Sequence, residues 1–322
     1  MLITGAAGYI GTRLTQRVLT DPAFAEATVT IVDTTIRNQG SGPRLRAVEG
    51  DLRDPGVRRE ALGSRPDIAF HLAGILGGTA EANYALAREV NVDATLSLFE
   101  DLRDEMKPPR VVFTSSIAVF GPLDAEGVDD DTRASPHMFY GAQKHMMEIA
   151  LENFSARGSL DGLALRLPGI VARRGADARM KAAFLSHLFY AVEAGRDYTL
   201  PVSADGTSWL LSVPACVDAL IHGALLPRGL LAERRALTLP ALRVSMQQLA
   251  DALSKHFQGS VARIDYAPDL ELERQFARQP LLVTALADEL GFKHDGTVEA
   301  LVRRAIEPQG PVSGQFAQRD DR

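Results

Sequence analysis

The chain has 322 residues, 46% of them hydrophobic and 24% charged, which is enough apolar material for one large α/β unit or two interlocked lobes. Its formal net charge of -6 argues against nucleic acid and against an anionic membrane surface as a partner. The single cysteine, Cys216, excludes an intrachain disulfide, and no apolar run approaches the roughly 20 residues that span a bilayer. We therefore expect a cytoplasmic protein in which Cys216 is a packing residue.

A glycine-rich turn follows the apolar residues 1–3. Gly5, Gly8 and Gly11 stand at the junction of a first strand and a predicted helix over residues 10–20. Gly5 permits the turn, Gly8 lets the backbone approach a pyrophosphate, and Gly11 lets the helix pack closely on the sheet. The free N–H groups and the positive dipole end of the helix then face that anion. The pattern indicates a dinucleotide site, although an ordinary strand-turn-helix joint has the same form.

The next predicted strand, residues 28–33, is rich in β-branched side chains and ends in an acid. Asp33 lies 22 residues after Gly11, close to the spacing of about 20 that is typical of the acid binding the adenosine ribose. A carboxylate there accepts hydrogen bonds from the ribose hydroxyls and repels a 2′-phosphate. The sequence therefore favours NAD over NADP, a preference that Arg37 could soften.

Strands and helices alternate through the first half, which predicts an α/β fold with a doubly wound parallel sheet of the Rossmann type. Because the carboxyl ends of parallel strands share one edge, ligands are expected there. The strands are predicted near residue 3 and at residues 29–32, 45–48, 68–72, 111–114 and 163–167, with helices such as 82–102 and 142–157 between them.

The composition changes after the sixth strand, where loops rich in Gly, Arg and Asp begin. We expect a dinucleotide-binding domain at residues 1–167 and a smaller substrate lobe at residues 168–307 that is partly interleaved with it. The polar tail, residues 308–322, is expected to be disordered. Helices in the second lobe are predicted at residues 181–194, 214–226 and 245–256.

Tyr140 and Lys144 form a Tyr-x-x-x-Lys pair that would share one face of a helix. A tyrosine is a poor base at its ordinary pKa of about 10, and an ammonium one turn away would stabilise the phenolate and lower that pKa. Ser115 and Ser116 end the predicted fifth strand, where a hydroxyl could hold a substrate oxygen or simply cap the strand. The pair alone also fits a surface helix, but its order after a glycine turn, a ribose acid and a strand-end serine favours catalysis.

In these features the sequence resembles the extended short-chain dehydrogenase/reductases. The resemblance implies that Tyr140 is the catalytic acid/base, that Ser116 positions the reacting oxygen, and that Lys144 tunes Tyr140 and binds the nicotinamide ribose. The matching pieces stand in family order: the turn at residues 4–11, Gly-Asp-Leu at 50–52, His-Leu-Ala at 71–73, Asn91, the Ser-Ser segment at 115–121 and Tyr140-x-x-x-Lys144.

The resemblance also implies which residues bind NAD, and it implies no metal. Asp51 and Leu52 would flank the adenine, Ala73 would pass under the cofactor, and Pro168 would border the nicotinamide. Asp51 could instead be just a turn residue, because residues 51–55 also look like a helix start, and His71 is expected to be a packed, hydrogen-bonded histidine. The implied cofactor set is Gly5, Gly8, Tyr9, Ile10, Gly11, Asp33, Asp51, Leu52, Leu72, Ala73, Asn91, Thr114, Tyr140, Lys144 and Pro168.

The second half indicates a small substrate. Nucleotide-sugar members of the family usually carry an Arg-Asp-Tyr-Ile-His-Val-like segment that helps grip a diphosphate, whereas residues 208–213 read Ser-Trp-Leu-Leu-Ser-Val. Segments such as 77–84, 128–132 and 154–168 instead resemble the D-erythronate dehydrogenase branch. That resemblance implies NAD-dependent oxidation of the C2 hydroxyl of a small sugar acid to a 2-oxo acid.

The chain departs from that branch at residues 168–178, where a substrate would be gripped. It has Pro-Gly-Ile in place of Pro-Thr-Ile and Arg-Arg-Gly in place of Arg-Pro-Gly. Guanidinium groups bind carboxylates bidentately, so the arginines here are candidates to hold the acid, with a solvated loop charge as the alternative for each. Trp209 could wall the pocket or pack in the core. The predicted substrate set is Gly78, Ser116, Arg173, Arg174, Arg179 and Trp209.

Two other functions stay open on this evidence. One is a nucleotide-sugar epimerase or dehydratase. The other is an NAD-binding sensor without activity, although such relatives often lose the tyrosine or lysine that this chain keeps. The family further implies a homodimer formed by helices 82–102 and 142–157, whose apolar faces could equally pack on the sheet.

Overall fold

The computed structural model describes residues 1–36, 42–123, 126–176, 181–231 and 234–307. Arg37, Arg179 and the tail 308–322, for which the sequence made predictions, lie outside these residues. Within them, no helix combines the length and apolar character needed to cross a bilayer.

The strands agree with the six predicted ones and add short strands in the second half. They are β1 Leu2–Thr4, β2 Val29–Asp33, β3 Leu45–Glu49, β4 Ile68–His71, β5 Arg110–Ser116, β6 Gly127–Val128, β7 Asp161–Leu167, β8 Gly169–Val171, β9 Tyr198–Leu200, β10 Thr207–Ser212, β11 Ala236–Thr238, β12 Leu242–Ser245, β13 Ile264–Tyr266 and β14 Leu281–Leu282.

The helices connect these strands, several of them with side-chain caps such as Asp54 before α2 and Ser245 before α9. They are α1 Tyr9–Thr20, α2 Pro55–Ala61, α3 Gly77–Ala82, α4 Tyr84–Arg88, α5 Thr95–Leu102, α6 Phe139–Ala156, α7 Phe184–Glu193, α8 Val213–Leu225, α9 Met246–His256, α10 Leu270–Phe276, α11 Ala285–Glu289 and α12 Val298–Ile306.

Seven strands form one parallel sheet in the order β11-β7-β5-β4-β1-β2-β3. The doubly wound Rossmann-type fold predicted from the alternation of strands and helices is confirmed. The chain reverses its direction of winding between β1 and β4. Ligands of open α/β sheets bind at such a switch point, outside the carboxyl ends of the strands.

Each face of the sheet carries its own apolar layer, as the alternation of side chains along a strand requires. In β1, Ile3 belongs to the layer that contains α1 and α8, whereas Leu2 belongs to the layer that contains α5 and α6. Cys216 of α8 is fully buried in the first of these layers, and burial raises its pKa to about 12. Cys216 is therefore a packing residue, as expected.

The seventh strand, β11, comes from the second half of the chain. It pairs with β7 in parallel, with Leu237 opposite Leu165, and so closes one edge of the main sheet. Its three residues are too few to show a period in the sequence, which explains why the strand was not predicted. The rest of the second half builds a small β12-β10-β8 sheet around a separate core that includes Phe189, Leu249 and Leu301.

The helix predicted over residues 82–102 is divided into three pieces. Asn83 ends α3 and accepts a hydrogen bond from the backbone N–H of Leu86, so that it caps a new helix. A wider π turn over Glu89–Ala94 then joins α4 to α5. The apolar period continues across the joints, and the pattern alone therefore predicted one uninterrupted helix.

Candidate active site

A cleft of about 1950 Å³ opens at the carboxyl ends of the central strands and extends along the second lobe. Every predicted site residue in the described part of the chain lines this cleft, with the exception of Asn91. The cleft therefore joins the glycine turn, the ribose acid, the Tyr-x-x-x-Lys pair and the arginine-rich loop in one space.

The glycine turn is built so that no side chain fits. Gly5 has φ +67°, and a Cβ on it would lie 2.6 Å from the backbone nitrogen of Ala73. A Cβ on Gly11 would lie 2.1 Å from the carbonyl oxygen of Gly5. Gly8 is the N-cap of α1 and offers no side-chain cap, so the first N–H groups of the helix stay available to a ligand. These features fit the pyrophosphate of a dinucleotide.

Asp33 is held at the end of β2 by backbone donors. Its Oδ2 accepts a hydrogen bond from the N–H of Ala7 at 2.9 Å, and its Oδ1 accepts one from the N–H of Thr34 at 2.8 Å. Oδ1 also accepts from the hydroxyl of Thr34 at 3.4 Å, whereas Oδ2 keeps a lone pair for a further donor. The side chain is thus pre-oriented toward the cleft in a way that fits the two hydroxyls of a ribose.

Asp51, at the expected adenine end, is engaged by a neighbouring arginine. Arg53 donates to its Oδ2 from Nε at 3.0 Å and from Nη2 at 2.8 Å, and these bonds hold the pKa of Asp51 below its ordinary value. Asp51 is also the turn residue that the alternative described: its Oδ1 accepts from the N–H of Arg53 at 2.9 Å, and Asp54 then caps α2 by accepting from the N–H of Gly56. Leu52 is buried beside it in the wall of the cleft.

Asn91 is the predicted cofactor residue that, within the described part of the chain, does not line the cleft. Its Oδ1 accepts from the N–H of Ile75 at 2.7 Å, and its Nδ2 donates to the carbonyl oxygen of Ile75 at 3.0 Å and to Gln143 at 2.8 Å. Both polar atoms of the Asn91 side chain therefore form hydrogen bonds within the protein. Asn91 shapes the loop after β4, which itself lines the cleft.

His71 is a structural residue, as expected. It is buried, with Nδ1 2.7 Å from the hydroxyl of Thr4 and Nε2 2.9 Å from that of Thr95. Burial lowers its pKa to about 3, so the ring is neutral. It therefore joins β1, β4 and α5 without contributing charge to the cleft.

Lys144 lies in a buried position under the cleft. Its Nζ donates to the carbonyl oxygen of Thr114 at 2.8 Å and lies 4.6 Å from the ring centroid of Phe113. Burial lowers the pKa of Lys144 to about 8, and the carboxylate of Glu148 opposes this effect. The ammonium is thus the main form at neutral pH, with a proton that it can release more readily than an ordinary lysine.

Tyr140 and Ser116 form a pair in the cleft. The Ser116 hydroxyl lies close enough to the phenol of Tyr140 to lower its pKa, and Ser116 also accepts from the N–H of Ala118, so that it caps the turn as well as reaching the tyrosine. Ser115 points elsewhere and donates to Glu148 at 2.5 Å. Of the two strand-end serines, Ser116 and not Ser115 therefore lies beside Tyr140.

The expected lowering of the tyrosine pKa is not observed. Burial raises the pKa of Tyr140 to about 12, while the hydrogen bond from Ser116 and the charge of Arg173 act in the opposite direction. Lys144 lies 5.8 Å from the ring centroid of Tyr140 and donates to Thr114 instead. Removing the phenolate from water therefore outweighs the nearby charges in this state.

Two carboxylates position the catalytic helix and were missed by sequence reasoning. Glu148 accepts two hydrogen bonds from Arg166 at 2.9 Å each and one from His145 at 3.0 Å, in addition to that from Ser115. Burial alone would raise the pKa of Glu148, but these partners hold it below its ordinary value. Glu81 of α3 accepts from the N–H of Tyr140 at 3.3 Å. The signal for Glu148 was its spacing, one helical turn beyond Lys144.

The three candidate arginines differ in the structure. The guanidinium carbon of Arg173 lies 5.3 Å from the ring centroid of Tyr9. The charge of Arg173 also lowers the pKa of Tyr140. Arg174 instead pairs with Glu193 at 2.9 Å and lies over the ring of Tyr190 at 4.2 Å, so a substrate carboxylate would compete with Glu193 for it. Arg179 lies outside the described residues.

Trp209 contributes mainly to packing. Its side chain is buried among Val119, Phe120 and Val128, and its indole N–H donates to the carbonyl oxygen of Pro280 at 2.8 Å. It touches the rim of the cleft without presenting a free polar group to it. Gly78, at the start of α3, lines the same region.

A Rossmann-type sheet, a glycine turn with a ribose acid, and a Ser-Tyr-Lys group in the same cleft define a nucleotide-dependent oxidoreductase. A model of the NAD dependent epimerase/dehydratase family matches residues 1–220, and the chain belongs to this family. The protein is accordingly an NAD-dependent oxidoreductase.

Individual relatives cover nearly the whole chain. D-erythronate dehydrogenase of Cupriavidus necator is 34% identical over 319 residues, which covers 96% of this chain and 98% of the relative. D-erythronate dehydrogenase of Haemophilus influenzae is 30% identical over 310 residues, with 95% and 98% covered. Among solved structures, a nucleoside-diphosphate-sugar epimerase from Agrobacterium tumefaciens superposes with a TM-score of 0.88 at 32% identity, covering 96% of this chain and 93% of the other.

Proposed function

We propose that the protein oxidises the C2 hydroxyl of a small sugar acid, such as D-erythronate, to a 2-oxo acid. The two relatives named D-erythronate dehydrogenases support this substrate class. The observation that carries the proposal is that one cleft holds the Ser116–Tyr140 pair, the ammonium of Lys144 and the guanidinium of Arg173. These are the groups that proton abstraction from the hydroxyl of an anionic substrate requires.

NAD supplies the hydride acceptor when it is bound, and the chain provides complementary groups for it. The first N–H groups of α1 suit the pyrophosphate, and the Asp33 carboxylate suits the adenosine ribose. Lys144 and Pro168 line the same cleft, where Lys144 would donate to the second ribose and Pro168 would border the nicotinamide.

Tyr140 is the proposed acid/base. In the oxidation, Ser116 orients the substrate oxygen while Tyr140, as a phenolate, takes the hydroxyl proton. The hydride leaves C2 as the proton leaves the oxygen, so the alcohol carbon loses two electrons and becomes a carbonyl carbon. Lys144, whose ammonium lies 5.8 Å from the ring centroid of Tyr140, passes the proton outward through water.

The pKa values of the two residues determine the expected pH dependence. Because burial raises the pKa of Tyr140 to about 12, the phenol predominates at neutral pH, and the rate of oxidation should rise with pH. This rise should level off near the pKa of Lys144, about 8, above which its ammonium loses charge. Reduction of the 2-oxo acid uses the phenol as the acid and should remain efficient at neutral pH.

Arg173 is the proposed partner of the substrate carboxylate. It lines the cleft that holds Tyr140, and its charge acts on the phenol that would take the substrate proton. A planar guanidinium binds a carboxylate through two parallel hydrogen bonds, which would fix the direction of the acid and hence the hydroxyl that meets Tyr140.

A nucleotide-sugar activity is the second candidate, favoured by the likeness to the Agrobacterium structure. The polar groups of β10 argue against it, because they are engaged within the protein. Ser208 donates to the carbonyl oxygen of Phe276, and Ser212 donates to Asp295 at 2.6 Å. No cationic side chain stands on β10 to meet a diphosphate.

A substrate panel separates the two. The protein with NAD is offered D-erythronate, other four-carbon hydroxy acids, and UDP- and dTDP-sugars, while the absorbance of the reduced cofactor is followed and products are identified by mass spectrometry. We expect reduced cofactor and a 2-oxo acid from one of the acids, with the Tyr140→Phe variant as the blank. Turnover or epimerisation confined to nucleotide sugars would contradict the proposal, and NAD binding with no turnover of any compound would favour a sensor.

We also propose that the protein is a cytoplasmic homodimer. Large apolar side chains are exposed on α4 and α6, and the rings of Tyr84 and Phe139 lie 4.7 Å apart between those helices. Met146 and Ile149 extend the same surface along α6 with exposures of 51% and 56%. Sedimentation equilibrium should give twice the chain mass for the wild type and a monomer for Ile149→Glu; a monomeric wild type would contradict the dimer.

A further inference from the structure

Arg13 is a basic residue of the cleft that neither the sequence motifs nor the proposed mechanism uses. It lies on the second turn of α1, close enough to Tyr9 and Tyr190 for its charge to act on both. Its Nε is buried and has no hydrogen-bond partner in the described part of the chain. One turn further along the same helix, Arg17 pairs with Asp21 at 3.2 Å and with Asp218 at 2.8 Å.

A buried guanidinium nitrogen without an acceptor is costly, and an anionic ligand would offset that cost. Side chains of an α-helix lean toward its N-terminus, so Arg13 extends back toward the first turn of α1. That turn carries the uncapped N–H groups after Gly8. A cation and a positive helix end therefore converge on the same part of the cleft.

Three other cationic side chains of the cleft are already engaged. Arg174 pairs with Glu193, Arg278 with Glu273, and Lys144 donates to Thr114. The pyrophosphate of NAD brings two negative charges to the start of α1, and its size and charge suit a guanidinium.

We propose that Arg13 is an additional pyrophosphate-binding residue of the NAD site. This assignment requires NAD binding and is independent of which acid the enzyme oxidises. Arg13 acts from the helix that also supplies the backbone donors, so that a side chain and the main chain hold the same diphosphate.

Binding titrations test the proposal without turnover. NADH affinity is measured by cofactor fluorescence for wild type, Arg13→Ala, Arg13→Lys and the matched control Arg17→Ala, and ADP-ribose and adenosine are measured by competition. We expect Arg13→Ala to weaken NADH and ADP-ribose about tenfold, as loss of one charge-assisted contact implies. Adenosine, which has no phosphate, should bind unchanged. Arg13→Lys should recover part of the affinity, and Arg17→Ala should equal wild type.

Salt dependence gives a second readout, because screening weakens a charge contact that the variant no longer makes. The loss of NADH affinity at high salt should be smaller for Arg13→Ala than for wild type. Unchanged ADP-ribose affinity in Arg13→Ala would overturn the proposal, as would an equal loss for adenosine. A raised KM for the acid with unchanged NADH affinity would also overturn it and assign Arg13 to the substrate.

Discussion

The two ends of the cleft differ in whether backbone or side chains make their contacts. At the cofactor end the contacts are made by backbone: a Cβ added at Gly5 or Gly11 would lie 2.6 Å or less from a neighbouring backbone atom, and Asp33 is fixed by two N–H groups. At the substrate end the polar contacts come from long side chains, such as Arg174 against Glu193.

This difference teaches which changes each end tolerates. Backbone in close contact cannot move without disturbing the strand and helix that carry it, so the cofactor end should be intolerant of even one added carbon. Long side chains can be replaced while the scaffold stays in place, so the substrate end should lose affinity without losing the fold. The catalytic residues lie between the two ends. We expect substitutions there to lower turnover, with neither the fold nor the cofactor affinity lost.

The largest effect is expected from Tyr140→Phe, which removes the proton acceptor and little else. The kcat of acid oxidation should fall by about 1,000-fold, in the range typical of positioned acid/base groups. NADH affinity should stay within about twofold by fluorescence titration, because the removed hydroxyl contacts Ser116 and not the glycine turn. Turnover equal to wild type would refute the acid/base role.

Gly11→Ala should break the cofactor end. The added carbon would lie 2.1 Å from the carbonyl oxygen of Gly5, so the turn must shift, and NADH affinity should fall by about 100-fold. Gly229→Ala is the matched control, since no atom lies within 4 Å of a Cβ placed there. The melting temperature of both variants separates lost binding from lost fold. Equal NADH affinity in the two variants would contradict a backbone-built site.

Arg173→Ala should affect the substrate end with the fold retained. Loss of a paired carboxylate contact should raise the KM for the acid by about 50-fold with NADH affinity unchanged. Because the charge of Arg173 lowers the pKa of Tyr140, its removal should also move the rising limb of the pH profile of kcat/KM to higher pH. Arg174→Ala serves as the control and should change KM little. The reverse order of the two variants would assign the carboxylate to Arg174.

Asp33→Ala should give the smallest effect of the four substitutions. It tests a side chain of the cofactor end, where the glycine turn makes its contacts through backbone. The carboxylate contributes hydrogen bonds to a ribose, and its loss should weaken NAD about tenfold while narrowing the preference over NADP. The measurement is the ratio of kcat/KM for the two cofactors. An unchanged ratio would indicate that other residues determine cofactor choice.

What could be predicted from sequence follows the same division. The residues of the cofactor end could be predicted because local structure determines their positions: a turn, a helix start and a strand end within one βαβ unit. They are Gly5, Gly8, Gly11 and Asp33. The fold class followed from the same alternation of strands and helices, now confirmed by the seven-stranded parallel sheet.

The remaining features depend on partners far apart in the chain. These contacts carry no local signature in the sequence. Arg174 pairs with Glu193, Asn91 accepts from the N–H of Ile75, and Arg166 donates two hydrogen bonds to Glu148. The pKa of Tyr140 also required the burial of its side chain, which no spacing rule supplies. Sequence patterns indicated the chemistry, and tertiary packing determined how each group is held.

The pairing of β11 with β7 has a practical consequence for engineering. A fragment ending at residue 167 would leave β7 as an open edge able to recruit other chains, and a graft beginning at residue 168 would carry an orphan strand. Chimeras made by exchanging whole lobes between relatives should therefore aggregate unless this strand is matched to its new neighbour. Replacing the loop after β8 is the conservative route to a new specificity, because it leaves the edge sealed.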